Sequence, residues 1–214
     1  PGMERVVMFE LEHLNELGDP CKKVLIMELM GKHSNIIFCD DKNMILDSIK
    51  HVSSHMSSVR EVLPGREYFI PQTQDKLDPL TVSEELFREV VCRKPCNISK
   101  AIYSSLTGIS PVVAEEVCFR ASVDGSEAAQ ALDETAQVHL YHTFCRLMDQ
   151  VKEGDFSPNI IYRGEEPVEY GVFAFQQYGP EYHSVEFDSV SEMLETYYAT
   201  KNTLTRIHQK SSDL

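Results

Sequence analysis

The stretch Glu28-Leu29-Met30-Gly31-Lys32-His33-Ser34-Asn35-Ile36-Ile37 decides how the first third of the chain is read. An apolar run from Lys23 to Met30 leads into Gly31, and a second, Asn35 to Cys39, leaves the polar tip Lys32-His33-Ser34. β-branched and aliphatic residues on both sides of a glycine-containing tip predict two strands joined by a tight turn. On the C-terminal side, Asp40-Asp41-Lys42-Asn43 is turn chemistry ahead of a further strand, Met44 to His51, so these segments are expected to form a hairpin. On the N-terminal side, Val7, Phe9 and Leu11 alternate with Met8, Glu10 and Glu12, which predicts a strand over Val6 to Leu11 with one apolar face. A helical turn is expected at Ser57 to Leu63 before the Pro64-Gly65 turn. Residues 1–72 thus read as a β-rich block.

Residues 73–152 change period. Thr81 and Glu84 form a capping-box pair ahead of Leu86, Val90 and Val91. Asn97 is placed to cap a helix from Ile98 to Leu106, and Gly108 to end it in the left-handed conformation. Ser110 caps the next helix with Pro111 at its first position, where the missing N–H is harmless. Its expected buried side is Val113, Val117 and Phe119 or Ala121. A longer helix is expected from Glu127 to Lys152. Residues 153–214 return to strands at Asn159–Tyr162, Val168–Phe175 and His183–Phe187. Asp188 or Ser189 then caps a last helix. The reading is therefore α+β, with helices between two β portions that can share one sheet.

Net charge is −14, which excludes a uniformly basic nucleic-acid coat but leaves room for a local basic face. The acidic excess is uneven: residues 1–124 carry a net −5 and residues 125–214 a net −9. A phosphate-facing surface is expected in the first part. No apolar run reaches the length needed to span a bilayer. The six cysteines, at 21, 39, 92, 96, 118 and 145, form no Cys-x-x-Cys pairs, so reduced thiols are expected rather than a zinc site. Strand-like alternation at the very start and a helical pattern reaching the last residues suggest a piece of a longer protein.

Four groups of residues could carry chemistry. Lys32, His33, Ser34 and Asn35 offer an ammonium, an imidazole, a hydroxyl and an amide beside Gly31, suited to phosphate and ribose contacts; a solvated hairpin turn has the same composition. Lys50, His51 and Arg60 concentrate positive charge, although scattered surface cations would look alike. Gly108, Ile109 and Ser110 sit between two short helices in the layout of a helix-hairpin-helix element, whose backbone N–H groups hold a phosphate. Ser110 stands where many such hairpins have a second glycine, and a purely structural αα-hairpin fits too. His139, His142 and Cys145 recur at i, i+3, i+6 on the long helix, where an ordinary helix face is the better reading; no metal or cofactor is assigned. There is no Gly-x-Ser-x-Gly, His-Glu-x-x-His or Gly-x-Gly-x-x-Gly, and no hydrolase or transferase constellation emerges.

The opening stretch, together with Ile45-Leu46-Asp47-Ser48-Ile49-Lys50-His51-Val52-Ser53 and Val59-Arg60-Glu61-Val62-Leu63-Pro64-Gly65-Arg66-Glu67-Tyr68, resembles the NFACT family. Gly108-Ile109-Ser110-Pro111 with Ala114-Glu115-Glu116-Val117 is similar to that family's helix-hairpin-helix part, and Met193-Leu194-Glu195-Thr196-Tyr197-Tyr198 to the segment leading into its coiled coil. The resemblance implies the later part of the NFACT-N domain, similar in fold to the N-terminal domain of formamidopyrimidine-DNA glycosylases. It also implies a cytoplasmic factor that binds the obstructed large ribosomal subunit with its peptidyl-tRNA. Such a factor recruits alanyl-tRNA and directs C-terminal alanine tailing of the stalled chain, while peptide-bond chemistry stays with the ribosome. An Asp-Arg pair that the family uses for tRNA corresponds to Glu4-Arg5. Bacterial members are also labelled fibronectin-binding proteins, which makes an adhesin that binds fibronectin the competing expectation.

Overall fold

The computed structural model describes residue 3, residues 5–70 and residues 75–212, with backbone only for 205–212. The chain divides into two compact units, residues 1–77 and 78–214, so the helical block and the later strands belong to one unit.

The first unit is a four-stranded antiparallel meander: β1 (Val6–Leu14), β2 (Pro20–Glu28), β3 (Asn35–Asp40) and β4 (Ile45–Ser48), in that spatial order. The register sets Val6 opposite Glu28 and Glu28 opposite Asn35, so these three share one face at one end of the sheet. Ile26, Ile37, Cys39 and Ile45 on that face pack with Val62 and Tyr68 from the following loop, with Val6, Val24, Val52 and Ile70 closing around them. Each fully buried Ile contributes about 1.5–3 kcal/mol by leaving water.

β1 does not have one buried face. Val7, Met8, Phe9 and Leu11 are all exposed. β1 pairs with β2 over its whole length, whereas β3 reaches β2 only from Lys23 to Glu28, so the outer part of the first hairpin is a bare two-stranded ribbon. The helical turn expected at Ser57–Leu63 is replaced by an extended segment: Val52 and Val62 pair as an antiparallel bridge, exchanging hydrogen bonds of 3.0 and 2.8 Å. Burial of Val62 against the sheet outweighs the local helical preference.

The second unit contains α1 (Glu84–Val90), α2 (Ile98–Ser105), α3 (Pro111–Arg120), α4 (Glu134–Glu153), β5 (Asn159–Arg163), β6 (Glu166–Gly171), β7 (Tyr182–Glu186) and α5 (Val190–Ser212). Asn97 and Ser110 cap α2 and α3 through their side chains, with Pro111 opening α3. α1 starts two residues later than the Thr81 pattern predicts, because Thr81 and Val82 turn back onto the Asp78 carbonyl and Ser83 becomes the cap. α4 begins at Glu134, not Glu127: Asn97 bridges Ala128, Ile98 N–H donates to the Glu127 carbonyl and Ala129 N–H to that of Cys96, which ties 127–129 to the start of α2, and a single 3-10 turn, Ala129–Ala131, follows before Asp133 caps the helix. On α3 the buried residues are Ala114, Glu116, Val117 and Cys118, followed by Ala121, while Phe119 is exposed. Phe87 meets Phe144 at 5.4 Å between ring centroids, joining α1 to α4.

The two β portions do not share a sheet. β5, β6 and β7 form a separate three-stranded antiparallel sheet in the order β6-β5-β7. β5 is its centre, paired by β6 on one side and β7 on the other, and among the described residues no strand of 1–72 pairs with any of the three. α5 packs on β6 and β5 with Met193 buried.

Candidate nucleic-acid interface

In a meander, the start of β1, the end of β2, the start of β3 and the end of β4 lie at the same end of the sheet. That topology brings together Arg5, the 31–35 turn and Lys50-His51, which are far apart in sequence. The Arg5 carbonyl accepts from Leu29 N–H at 2.8 Å, fixing where its exposed side chain leaves the backbone. Glu4 lies outside the described residues.

The turn is built from its own sequence. Gly31 takes φ +59°, a conformation that disfavours other residues, and opens a single 3-10 turn, Gly31–His33. Ser34 N–H closes it on the Gly31 carbonyl at 3.0 Å, and Ser34 Oγ accepts from Met30 N–H at 3.0 Å. Lys32 and His33 project from this turn, both exposed.

Asn35 is not a surface ligand. It is buried, and its amide clamps the end of β4: Nδ2 donates to the Lys50 carbonyl at 2.9 Å, while Oδ1 accepts from Lys50 N–H at 2.9 Å and Ile36 N–H at 3.0 Å. Lys50 Nζ then reaches across to donate to the Lys32 carbonyl at 3.2 Å. The Lys50 ammonium is thereby brought to the turn that carries Lys32. His51 Nε2 lies 2.9 Å from Asp47 Oδ1. That hydrogen bond, with a second from Ser48 N–H, holds the Asp47 carboxyl below the ordinary carboxylate range.

Arg60 is placed differently. Its Nη2 donates to both oxygens of Glu28, at 2.6 Å to Oε2, and its Nη1 donates to the Phe69 carbonyl at 2.7 Å. Tyr68 OH donates to Glu28 Oε1 at 2.9 Å, and the guanidinium lies 5.3 Å from the Tyr68 ring centroid. Burial, reinforced by the Glu28 charge, pushes the Tyr68 phenol well up. Arg60 is therefore an internal strut under the sheet end, and Arg5, Lys32, His33, Lys50 and His51 make up the outward group. The signal for this strut was in the sequence. Val24, Ile26 and Glu28 fall on one face at period two, which sets a carboxylate among core residues where it demands a buried cation.

The opposite end of the sheet carries Glu12, Glu16, Asp19, Asp40 and Asp41 together with Lys22, Lys23 and Lys42. Carboxylates thus crowd this end, while at the 31–35 end the exposed cations Arg5, Lys32, His33, Lys50 and His51 are accompanied by Asp47, which is paired with His51.

In the second unit, Gly108 adopts φ +75° between α2 and α3, Ile109 is buried, and the Ser110 hydroxyl accepts from Val113 N–H at 3.3 Å. The Ile109 side chain is thereby a packing group, and the hairpin can offer a ligand only backbone and solvent-facing atoms. His139 and His142 are exposed, and His142 Nε2 is 3.8 Å from Glu84. Among the described residues no group of three His, Cys, Asp or Glu side chains is arranged to hold a metal, and no helix is long and apolar enough to cross a membrane. All six cysteines are free.

The family described as "NFACT N-terminal and middle domains" matches residues 1–214. The chain is 34% identical over 214 residues to the Rqc2 homolog RqcH of Bacillus subtilis, covering all of this chain and 35% of that protein. It is 30% identical over 212 residues to the Rqc2 homolog RqcH of Streptococcus suis, covering 99% of this chain and 34% of that one. It spans about a third of the length of these relatives. Among solved structures, the N-terminal part of the fibronectin/fibrinogen-binding protein from Streptococcus suis superposes with a TM-score of 0.66 at 27% identity, over 91% of this chain and 63% of that one. The fibrinogen-binding protein from Staphylococcus aureus shares the fold, with a TM-score of 0.72 at 24% identity over 91% of this chain and 66% of that one. The full-length family match and the 34% identity across every residue establish that the chain belongs to the NFACT family.

Proposed function

We propose that this chain is an RNA-gripping portion of a ribosome quality-control factor, acting without catalysis of its own. The supporting observation is the gathering of Arg5, Lys32, His33, Lys50 and His51 at one end of a four-stranded sheet in a protein of net charge −14. Ammonium and guanidinium groups without a base-shaped pocket suit phosphate contacts, which grip RNA without reading its sequence. The relatives' name, Rqc2 homolog RqcH, points to the same setting. In this reading the sheet end contacts tRNA, with alanyl-tRNA as the recruited species, and the α2–α3 hairpin serves as a helix-hairpin-helix element on the obstructed large subunit. The fold is read as similar to the N-terminal domain of formamidopyrimidine-DNA glycosylases, with α5 leading toward a coiled coil in a cytoplasmic protein. The stalled nascent chain would gain its alanine tail through the ribosome's own chemistry.

The test is tRNA binding by fluorescence anisotropy at low salt. Lys32→Ala and Lys50→Ala should each weaken binding uniformly across tRNA sequences and lower the salt slope by about 1. Lys22→Ala, at the opposite sheet end, should change neither. Equal losses from all three substitutions would place the contact elsewhere. Fibronectin binding is the lesser reading, because it rests on names of structural relatives at lower identity than the quality-control relatives. A fibronectin pull-down that survives a physiological salt wash, with no tRNA binding at any salt, would reverse that order.

A further inference from the structure

The second unit contains a polar cavity of about 320 Å³ lined by Arg120, Thr143, Arg146, Leu147, Gln150 and Gln176. Two guanidiniums, of Arg120 and Arg146, meet there. They are held in different ways. Arg120 is anchored from below: Nε donates to the fully buried Glu116 at 2.6 Å and Nη2 donates to the Ala174 carbonyl at 2.6 Å. Glu116 also accepts from the backbone N–H groups of Gln176 and Gln177, at 2.9 and 3.2 Å, tying the 174–177 loop to α3 and setting the cavity's rim. The Arg120 charge is therefore matched by Glu116.

Arg146 is oriented by a neutral partner. Its Nη2 donates to Thr143 Oγ1 at 3.1 Å, and Thr143 is buried on the same turn of α4. Among the described residues no carboxylate lies within ion-pair distance of Arg146, while the nearby Asp149 is paired with Lys152 at 3.4 Å. The cavity thus carries one uncompensated positive charge, steered by its bond to Thr143, with Gln150 and Gln176 among the lining residues. A guanidinium fork without a carboxylate partner, beside a second, anchored guanidinium, is a donor set suited to a tetrahedral oxyanion.

We propose that this cavity is a phosphate-binding site, with Arg146 as its principal ligand and Arg120 as the positioned wall. It lies wholly in the second unit and does not depend on the sheet-end reading. The shared chemistry is a phosphate group, carried by an RNA backbone or by a small phosphorylated ligand.

The experiment is a ¹⁵N-resolved NMR titration of the chain with inorganic phosphate at constant ionic strength. Saturable shifts are expected at the amides of Thr143, Arg146, Gln150 and Gln176. Arg146→Gln should weaken them by about tenfold. Because Arg146 is exposed and outside the core, this variant should keep the wild-type spectrum elsewhere. Lys32→Ala, in the other unit, should leave the phosphate shifts unchanged even if it abolishes tRNA binding, so the two sites succeed or fail separately. A single-stranded RNA oligonucleotide is then added. Displacement of phosphate from these four residues assigns the site to the RNA backbone; phosphate shifts that persist assign it to a small phosphorylated ligand. Shifts that rise linearly without saturation, or are equal in wild type and Arg146→Gln, would overturn the proposal.

Discussion

Asn35 makes three hydrogen bonds from a buried position, two of them to the backbone of Lys50, so a single side chain decides where Lys50 starts. Asn35→Ala would leave those groups without partners, and a loss of about 1–3 kcal/mol is expected in denaturant unfolding. The Glu28–Arg60 pair is the sterner case. Glu28 is 1% exposed, so Arg60→Ala would leave its carboxylate alone in the core, and we expect about 3–5 kcal/mol of destabilisation. A loss of tRNA affinity in a stably folded Arg60→Ala protein would contradict the internal role. Asp47 gives a pH prediction. Its folded-state carboxyl is depressed by the His51 and Ser48 hydrogen bonds, so the associated stability is fully present above the unfolded value, near 3.8, and is lost as pH falls through the lower folded value. Carboxyl NMR should find Asp47 titrating below 3.8, and His51→Ala should bring it back toward that value. Thiol chemistry divides the cysteines similarly: burial pushes Cys39 and Cys92 up to about 11 and Cys118 up to about 12. Alkylation at pH 8 followed by mass spectrometry should label the less buried Cys21, Cys96 and Cys145 first.

At the scale of elements, the caps are the most testable feature. Asn97→Ala and Ser110→Ala should each cost about 1 kcal/mol, because each side chain accepts from the first turn of its helix. Thr81→Ala should cost much less, since Ser83 caps α1. These contrasts mark what local sequence could say. The strands flanking Gly31, the 40–43 turn, the α2 and α3 caps and the last helix follow from nearest-neighbour chemistry, and they were legible. The start of α4 was not, because the groups that tie 127–129 down belong to Cys96, Asn97 and Ile98, some thirty positions earlier. The exposure of β1 was illegible for a related reason: alternation shows which residues share a face, but not whether anything covers that face. The same limit applied to the site. Lys32 and Lys50 were visible as cations, whereas the clamping of Lys50 by Asn35, its reach to the Lys32 carbonyl and the turning inward of Arg60 depend on strand order and on Glu28.

At the scale of the molecule, the proposed function asks an acidic protein to hold a polyanion. In that proposal the four-stranded unit does so by polarity along its strands, with Arg5, Lys32 and Lys50 at one end and most of its hairpin carboxylates at the other. Separation of this kind lets a few cations act over a Debye length of about 8–10 Å at ordinary ionic strength without cancellation from the acidic surface. It also predicts weak, strongly salt-sensitive binding, because few phosphates are neutralised. The most direct measurement is the salt dependence of tRNA affinity for the wild-type chain and for the combined Arg5→Ala, Lys32→Ala, Lys50→Ala variant. Three phosphate contacts predict a log–log slope of about −2 to −3 for the wild type and loss of measurable binding for the variant. A variant that binds tRNA as tightly as the wild type, with the same slope, would contradict the sheet-end interface.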